Sequence, residues 1–331
     1  MHLYKGKINM ENILIRTATA GDTSAIRNIY NSICEEDGIY FRQMSDENVG
    51  CVFFGENVRT VCAVADGCTV GFASGTVVAE KGTSYITYVG VEKQKRRQNI
   101  GSRLLRALEE RLACDGIKKI DIVFHNPVSL SWYIPHTGKS ADHPCAPGVD
   151  ADAPAYPFFG SCGYSEWCRQ YSYYLPLKDY REPEDIAQKK QALSAQGINI
   201  TLYDAGIHTG FYGLFDEINN PGWRNYVFRN LDKPVIVAVD TRSNNRVIGY
   251  TGPLTVQESG RGNFCGIGTS PDYRKKGIGK AVFCEMCKRH AESGAAFMSL
   301  YTGSTNPARN IYEAAGFRIV REWANMRKEI I

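Results

Sequence analysis

An internal repeat restricts the fold of this chain more than any other feature of its sequence. Positions in the first half recur 178 residues later with the same or a closely similar residue: Gly71 with Gly249, Phe72 with Tyr250, Gly90 with Gly268, Arg96 with Arg274 and Gly101 with Gly279. Near the end of each half, Gly163-Tyr164 corresponds to Gly316-Phe317 at an offset of 153, so the first half is longer by 25 residues. In a chain of 331 residues, the repeat predicts two copies of one domain, each long enough to bury its own core.

The order of the predicted elements is the same in both halves and mixes strands with helices. Each half has the pattern of a strand, a helix, a strand pair, a central strand, a basic turn, a helix and a further strand. We therefore expect an α/β fold with a mixed sheet in each domain. The expected limits are 12–177 for the N-terminal domain, 178–196 for a linker with one helical stretch (184–195), and 197–331 for the C-terminal domain.

Composition and charge exclude several classes of protein. Hydrophobic residues make up 43% of the chain and charged residues 22%, as is usual in soluble globular proteins. The net charge of +4 is too small to indicate nucleic-acid binding, and the basic cluster at 93–97 has no interleaved aromatic residues. No apolar run approaches the ~20 residues that a membrane-spanning helix needs. We expect neither a nucleic-acid partner nor a membrane partner.

The first residues and the cysteines favour a cytoplasmic protein. Residues 1–12 are polar and lack the apolar region of a signal peptide, although Met10 is an alternative start. The eleven cysteines, Cys114 among them, are odd in number and scattered, which indicates reduced thiols rather than a disulfide framework. The sequence leaves open whether the protein forms a homodimer.

A basic turn between a strand and a helix is the strongest chemical motif. The turn from Thr269 to Lys280 carries three adjacent cations and two glycines just where the helix of 281–290 is expected to begin. Helix N-termini expose unpaired N–H groups and the positive end of the helix dipole, and therefore bind phosphates. The glycines allow the backbone to approach the anion closely. The turn predicts a pyrophosphate site, and an ordinary solvated basic turn is the alternative.

The order R-x-x-G-x-G after the strand Ile267 to Thr269 resembles the acetyl-CoA loop of the GNAT acyltransferases, whose pattern is Q/R-x-x-G-x-G/A. Its spacing differs from the dinucleotide-binding G-x-G-x-x-G, and it lacks the Lys-Ser/Thr ending of a P-loop. A further signature, Asn306 to Phe317, resembles the family pattern N-x-x-A-x-x-x-Y-E-x-x-G-F, with one residue fewer between Asn306 and Ala308. The tandem arrangement is similar to that of two-domain GNAT proteins such as mycothiol synthase.

The resemblance implies an N-acetyltransferase in which a primary amine attacks acetyl-CoA directly within a ternary complex. Backbone N–H groups of the central strand would stabilise the oxyanion, and the turn would bind the pyrophosphate. The implied cofactor-binding residues of the second half are Ile267, Gly268, Thr269, Arg274, Lys275, Lys276, Gly277, Ile278, Gly279, Lys280, Asn306 and Arg309. The alternative is a non-catalytic acyl-CoA sensor or interaction protein of the same fold.

Three side chains of the second half are candidates for proton transfer or positioning. By its match to the family's helix tyrosine, Tyr312 would protonate the departing thiolate of coenzyme A; the alternative is a core tyrosine. Asn306 would hold the pantetheine arm or order a water, or would simply cap the helix that begins near Pro307. Glu258, upstream of the central strand, is the candidate general base; the alternatives are an exposed loop carboxylate and an amine that arrives unprotonated.

The first half matches the acetyl-CoA loop with one departure, because Asn99 stands where the first glycine is usual and would have to adopt positive φ. The corresponding cofactor-binding residues would be Val89, Val91, Arg96, Arg97, Asn99, Gly101 and Ser102. No tyrosine follows Asn126-Pro127 on a helix. The resemblance therefore implies a degenerate copy that shapes the pocket or a dimer, with CoA binding there left open.

The additional residues of the first half lie near 128–154, a segment rich in Pro, Gly and Asp that has the character of a long loop. We expect it to form a wall of the acceptor pocket or to cover the first domain's cleft, with Asp150 suited to a cationic amine. Its His, Cys and Asp residues lack tight ligand spacing, so no metal site is predicted. Trp223 and Tyr226 fall where acceptor-binding loops lie in this fold, and core packing is their alternative. The acceptor stays open among small amines, antibiotics, amino acids and peptides.

Overall fold

The computed structural model describes residues 13–113 and 116–330, which form two compact units. The described part of the first unit comprises 13–113, 116–133, 143–170 and 322–330, and the second comprises 134–142 and 171–321. These units are defined by contacts, whereas the limits 12–177, 178–196 and 197–331 follow from the sequence repeat and stay a prediction. Cys114 lies outside the described residues, and the other ten cysteines are free thiols.

The sheet of the first unit follows the chain from one edge to the other. Antiparallel pairing joins the first four strands in sequence order, the fifth is parallel to the fourth, and the end of the last strand of the chain is antiparallel to the fifth. The strands of this sheet are β1 (Ile13–Thr17), β2 (Val58–Ala65), β3 (Cys68–Val78), β4 (Thr83–Val91), β5 (Lys119–Ile122), β8 (Val149–Asp150) and the end of the final strand, β16 (Arg318–Glu329). The short β6 (Trp132–Tyr133) and β7 (Asp142–His143) pair with each other in a separate sheet, and β9 (Ser165–Pro176), like β16, has residues in both units.

Helices cover both faces of this sheet, because its strands are apolar on both sides. The helices are α1 (Thr23–Glu36), α2 (Asp46–Phe53), α3 (Ile100–Leu112) and α4 (Ala155–Ser161). One core cluster joins α1 and α2 to one face through residues such as Tyr30 and Phe53. The other joins α3 and α4 to the opposite face through Leu104, Leu108 and Phe159.

The second unit repeats this plan. Its strands are β10 (Ile198–Leu202), β11 (Ile236–Asp240), β12 (Arg246–Thr251), β13 (Arg261–Gly262), β14 (Ile267–Thr269) and β15 (Phe297–Gly303). The first three and β14 form an antiparallel sheet in the order β10-β11-β12-β14, and β13 is parallel to β15. Its helices are α5 (Glu184–Ala195), α6 (Phe211–Ile218), α7 (Pro221–Arg229), α8 (Ile278–Glu292) and α9 (Arg309–Ala314).

In the second unit, α6 and α7 cover one face of the sheet, and α5, α8 and α9 cover the other. Phe215 of α6 packs on Tyr250 of β12 with ring centroids 4.5 Å apart. On the opposite face, Ile186 and Leu193 of α5 join the core of α8. The helical stretch predicted at 184–195 therefore exists, and it packs in the core of this unit. Within the described residues, no helix is long and apolar enough to cross a membrane.

The structure corrects two predicted features. The predicted strand Ile267 to Thr269 is β14, but the apolar residues 263–266 before it are in no strand, and β13 and β14 pair with different neighbours. Trp223 and Tyr226, expected in a connection between helix and strand, lie one turn apart on α7. The sequence of α7 carries no regular apolar stripe, but Asn220 followed by Pro221 is a helix-start signal, and the Asn220 side chain accepts the Trp223 N–H at 3.0 Å.

Candidate functional site

Two parallel strands of the second unit diverge at one point. β13 pairs with β15 only at Arg261 and Gly262, and β14 then pairs with β12 instead. Residues 263–266 lie between these two pairings. In the part of the chain that the structure describes, the backbone N–H and C=O groups of Phe264 and Cys265 have no backbone partner. The sheet therefore has an opening lined by unpaired peptide groups.

Alternate residues of β14 direct their peptide groups away from β12. Ser270 donates its N–H to the carbonyl of Ile248 at 2.8 Å. Hydrogen-bonded and non-hydrogen-bonded pairs alternate along an antiparallel ladder, so Gly268 bonds to β12 and its two neighbours do not. Ile267 and Thr269 therefore direct their N–H and C=O groups toward the opening, which gives donors for a developing oxyanion and partners for an extended amide chain.

Two glycines bring α6 and α7 close to this strand. A Cβ atom on Gly268 would lie 2.3 Å from Cδ1 of Ile218, at the end of α6. A Cβ atom on Gly266 would lie 2.8 Å from Cδ2 of Trp223, so the indole lies against the backbone just before β14. Trp223 thus borders the opening from the α7 side.

The basic turn has the backbone of an anion site. A 3₁₀ turn at Pro271–Tyr273 precedes Arg274, whose Nε donates to the carbonyl of Thr269 at 3.3 Å. Lys275 has φ +62° and Gly277 has φ +86°, and Gly277 is the N-cap of the 15-residue α8. The first turn of α8 (Ile278, Gly279, Lys280) carries no acidic residue. Its free N–H groups and positive dipole end are therefore opposed by no carboxylate of that turn.

The glycines of the turn face neighbouring side chains. A Cβ atom on Gly279 would lie 3.2 Å from Cδ1 of Ile311, so this glycine lets α9 approach α8. A Cβ atom on Gly277 would lie 2.5 Å from Cε of Lys189, a residue of α5. Sequence reasoning missed Lys189 because it precedes the repeated elements and has no motif of its own.

Tyr312 lies on α9 in a cage of aromatic rings. It is 5% exposed, and the rings of Phe283, Phe264 and Tyr173 have centroids 5.1, 5.8 and 6.0 Å from its own. The Tyr312 hydroxyl has no hydrogen-bond partner among the described residues, but its oxygen is not completely buried. Burial raises the pKa of Tyr312 to about 12. The phenol therefore stays protonated near neutral pH and has a proton to give.

The other residues predicted on this helix are held by their own helix end. Asn306 accepts the N–H of Ala308 at 3.0 Å through Oδ1 and donates from Nδ2 to Oγ1 of Thr302 at 2.9 Å. Arg309 donates to the Tyr173 hydroxyl at 2.9 Å and to the carbonyl of Ser304 at 2.7 Å. These contacts are those of a helix cap and a local network, which also fix the geometry of Tyr312.

Asn263 connects the divergence point to α7. Its Nδ2 donates to the hydroxyl of Tyr226 at 3.1 Å and to Sγ of Cys265 at 3.0 Å. Arg261, 6% exposed, donates to Oδ1 of Asn263 at 3.4 Å and to the carbonyl of Ser299 at 2.9 Å. Burial and the neighbouring thiol raise the pKa of Tyr226 to about 12. In the sequence, the only sign of this hydrogen-bond network is that a polar residue, Asn263, begins the apolar run 263–268.

His290 of α8 contacts Asn263 from the face of the sheet opposite α7. It is fully buried, and Nε2 lies 3.0 Å from the carbonyl oxygen of Asn263, whereas Nδ1 has no partner in the described structure. A Cβ atom on Gly262 would lie 2.8 Å from Cγ of this ring. Burial lowers the pKa of His290, so the neutral imidazole donates from Nε2 to Asn263.

Two further predicted residues have none of the contacts described above. Glu258 is exposed in the turn of residues 257–260, and no described residue binds its carboxylate. Asp150 belongs to the first unit, where its Oδ1 accepts the N–H of Asp152 at 3.0 Å. Over 13–113 and 116–330, no group of three His, Cys, Asp or Glu side chains could hold a metal ion.

The basic turn of the first unit has the same backbone as that of the second. Arg97 has φ +60° and Asn99 has φ +61°, so asparagine here adopts the conformation that was predicted for it. Asn99 is the N-cap of α3, and Arg96 donates from Nε to the carbonyl of Val91 at 2.8 Å. Gly101 and Ser102 begin α3, and a Cβ atom on Gly101 would lie 3.4 Å from the ring of Phe158. The backbone N–H of Glu92 donates to the carbonyl of Val70, so Gly90 bonds to β3 while Val89 and Val91 direct their peptide groups toward the open edge.

In the first unit, the parallel strands β4 and β5 also separate after a short pairing, but side chains fill the space where they begin to diverge. β4 and β5 pair only at Thr83–Tyr85, and Asn126 then donates to the carbonyl of Ile86 at 3.2 Å and to Oγ1 of Thr87 at 3.1 Å. Parts of the segment 128–154 cover the remaining space and leave a cavity of about 40 Å³. That cavity is lined by Phe41, Ile86, Thr87, Ile122, Val123, Asn126, Val128, Ser129, Leu130, Cys145, Ala146 and Gly148.

The segment 128–154 is divided between the two units. Residues 134–142 belong to the second unit, where the carbonyl of Asp142 accepts a hydrogen bond from Ser299 of β15 at 2.9 Å. The remainder belongs to the first unit and includes the cavity wall described above. The segment is therefore built into both cores rather than forming one loop.

Comparison with protein families finds the same fold twice. Residues 24–134 match the acetyltransferase (GNAT) family, and residues 232–319 match an acetyltransferase (GNAT) domain, so the two matches together cover more than half of the chain. No curated protein matches the chain.

Solved structures resemble the whole chain at low sequence identity, which shows the fold alone. A fungal multi-domain GH3 β-N-acetylglucosaminidase with a GCN5-related glucosamine N-acetyltransferase region matches with a TM-score of 0.67 and 15% identity over 96% of this chain and 38% of that one. This chain thus spans well under half of that protein. A GCN5-related N-acetyltransferase from Sphaerobacter thermophilus matches with a TM-score of 0.60 and 19% identity over 96% of both chains.

A tandem GNAT protein from the clavulanic acid biosynthesis pathway also matches, with a TM-score of 0.58 and 13% identity over 96% of this chain and 98% of that one. The mixed α/β fold, the pair of GNAT domains and the acetyltransferase class predicted from the sequence are thereby confirmed. The chain belongs to the GNAT acetyltransferase family and carries two GNAT domains in tandem.

Proposed function

We propose that the second GNAT domain transfers an acetyl group from acetyl-CoA to a primary amine by direct attack within a ternary complex. The observation that carries the proposal is the opening at 263–266, where unpaired peptide groups lie between β13 and β14. The sequence places the basic turn of α8 directly after this edge, and the Phe264 ring also contacts that of Tyr312. The segment from Asn263 to the basic turn thus connects the groups that would bind the acyl chain, the groups that would bind the pyrophosphate, and the proton donor Tyr312.

The basic turn and the strand edge would hold the donor. The N–H groups at the start of α8 and the cations Arg274, Lys275 and Lys276 suit a pyrophosphate. The peptide groups of Ile267 and Thr269 suit the amides of a pantetheine arm, and a neighbouring N–H would stabilise the thioester oxygen as it becomes negative. One such donor is worth about 10²–10³ in rate in enzymes of comparable design.

Tyr312 would give its proton to the departing thiolate of coenzyme A. Its pKa of about 12 keeps the phenol protonated over the working range, and its hydroxyl is free of other partners among the described residues. Asn306 and Arg309 would position it by fixing the start of α9. Proton donation of this kind contributes about 10²–10⁴ in rate.

The acceptor would approach from the α6–α7 side. Trp223 lies against Gly266 and the Tyr226 hydroxyl lies 3.1 Å from Nδ2 of Asn263, so both border the opening. Glu258 is the candidate base and would act through water, since it is exposed and unpaired within the described residues. An amine that arrives unprotonated would need no base, which the same rate and pH profile in Glu258→Gln as in the parent would indicate.

For the first domain, we propose donor binding without transfer. Its basic turn keeps the backbone of the catalytic copy, including Asn99 at φ +61°. Its acyl end, however, is narrowed by Asn126 and the segment 128–154 to a pocket of about 40 Å³, which we expect to be too small for an amine acceptor. This domain is where the alternative, a non-catalytic acyl-CoA sensor, has structural support.

Calorimetric titration of acetyl-CoA and a thiol-release assay test both proposals. The parent protein, Gly101→Glu and Gly277→Glu are titrated, and CoA release is followed with a panel of amines that begins with glucosamine, the substrate named for the fungal structural neighbour. We expect turnover to be lost only in Gly277→Glu, and one binding site to be lost in each variant. Binding without turnover for every amine would favour the sensor, and absence of binding would reject both proposals.

A further inference from the structure

Lys189 lies at the start of α8 although it belongs to α5. A Cβ atom on Gly277 would lie 2.5, 3.3 and 3.4 Å from Cε, Cγ and Cδ of Lys189. The aliphatic stem of Lys189 therefore covers the Cα of the α8 N-cap residue. Its ammonium group is one bond beyond Cε, and is therefore within reach of the N-terminus of α8, where free N–H groups collect.

The helix that carries Lys189 is firmly attached to α8. The next residue, Lys190, bonds to Glu285 of α8 at 2.7 Å and also pairs with Glu182. Ile186 and Leu193 of α5 are 2% exposed and belong to the core that surrounds α8. The backbone that carries Lys189 is thus held in place before any ligand arrives, although the side chain itself is exposed, and this lowers part of the entropy cost of binding.

Lys189 has no acidic partner among the described residues, in contrast to Lys190. Four further cations belong to the same turn, and none of them has a carboxylate partner within the described structure: Arg274, Lys275, Lys276 and Lys280. Like charges so close together destabilise the free protein unless an anion neutralises them. A ligand with more than one negative charge would relieve this repulsion.

We infer that Lys189 binds the pyrophosphate of the CoA donor, so that the segment 178–196, predicted as a linker, contributes a side chain to the donor site. The inference rests on the proposed function of the second domain. It adds a cation from outside the stretch that matches the GNAT domain, residues 232–319. It also gives a second reason for glycine at 277, because any side chain there would displace the Lys189 stem.

Lys189→Met and Lys189→Arg separate the charge from the stem. Methionine keeps a flexible apolar stem on Gly277 and removes the charge, whereas arginine keeps both. Each full-length variant is titrated with acetyl-CoA and with 3′-dephospho-CoA, which retains the pyrophosphate. At the site that Gly277→Glu abolishes, we expect Lys189→Met to weaken both ligands by roughly five- to twentyfold and to flatten the salt dependence. Lys189→Arg is expected to stay within about threefold of the parent.

Lys288→Met is the matched control, because Lys288 lies on α8 far from its start and within 3.9 Å of Glu292. Equal affinities in the parent, Lys189→Met and Lys288→Met would overturn the inference while leaving the proposed function intact. Loss confined to acetyl-CoA, with 3′-dephospho-CoA unaffected, would place Lys189 on the 3′-phosphate and would also overturn it. If the parent itself bound no acetyl-CoA, the proposed function would fail first, so the two failures are distinguishable.

Discussion

Phe159 and Tyr312 occupy the same position in two copies of one helix end. Tyr164 donates its N–H to the carbonyl of Phe159 at 3.1 Å, and Phe317 donates to the carbonyl of Tyr312 at the same distance. The intervening glycines, Gly163 and Gly316, have φ +91° and +93°. The repeat has thus kept the backbone of this helix end in both units, while only the second copy carries a hydroxyl.

Tyr312→Phe is expected to lower turnover by about 100-fold or more while acetyl-CoA affinity stays nearly unchanged. The substitution removes the proton donor and keeps the ring that packs on Phe283. Single-turnover CoA release and calorimetry check the two parts. Tyr180→Phe is the control, since it deletes another hydroxyl from the same core and should leave both quantities unchanged. A parallel loss of binding and turnover in Tyr312→Phe would mean that Tyr312 is structural.

Phe159→Tyr, made in the Tyr312→Phe protein, is expected to restore no turnover. The new hydroxyl would lie at the equivalent place in the first domain, but the acyl end there is narrowed to a pocket of about 40 Å³. The thiol-release assay measures the outcome with the same amines. Recovered turnover above that of Tyr312→Phe would show that the first domain admits an acceptor, and would contradict the proposed division of roles.

The sequence predicted most elements of the two domains because each has its own signal. Periodic apolar residues marked α1, α3 and α6, and glycines with basic residues marked the turns. The sequence could not show that the central strand breaks after Gly262, because a run such as 263–268 is apolar whether or not its peptide groups are paired. Nor could it place Lys189 on Gly277, since that contact depends on how α5 packs on α8.

Gly268→Ala is expected to destabilise the second domain by about 1–3 kcal/mol. The added Cβ would lie 2.3 Å from Cδ1 of Ile218 and 3.0 Å from Cε1 of Tyr250. Urea unfolding measures the cost, and Ile218→Ala should relieve part of it in the double variant because it removes the nearest atom. Gly279→Ala, whose Cβ would lie 3.2 Å from Ile311, is the milder comparison. Strictly additive effects of Gly268→Ala and Ile218→Ala would argue against this contact.

Tyr226→Phe is expected to raise the acceptor KM by roughly five- to tenfold without changing acetyl-CoA affinity. It removes the hydroxyl that accepts from Asn263 at 3.1 Å and leaves the ring on α7. Tyr212→Phe, a change at an exposed tyrosine of α6, is the matched control. Steady-state kinetics with the best amine of the panel measures KM and kcat separately. An unchanged acceptor KM would assign Tyr226 to packing alone.

His290→Gln is expected to make the second domain less sensitive to acid. Burial lowers the pKa of His290, so between about pH 6.5 and the folded-state pKa the unfolded chain takes up a proton that the folded chain refuses. Stability is therefore unaffected by this group above about pH 6.5 and falls below it, by at most about 1.4 kcal/mol per pH unit. Glutamine keeps a donor for the carbonyl of Asn263 and cannot titrate.

Urea unfolding at pH 5.5 and 7.5 measures how much unfolding free energy is lost in acid. This loss should be smaller in His290→Gln than in the parent, whereas His136→Gln, at an exposed site, should leave it unchanged. Equal acid losses in all three proteins would show that His290 takes up its proton without unfolding, and that the bond to Asn263 does not depend on a neutral ring.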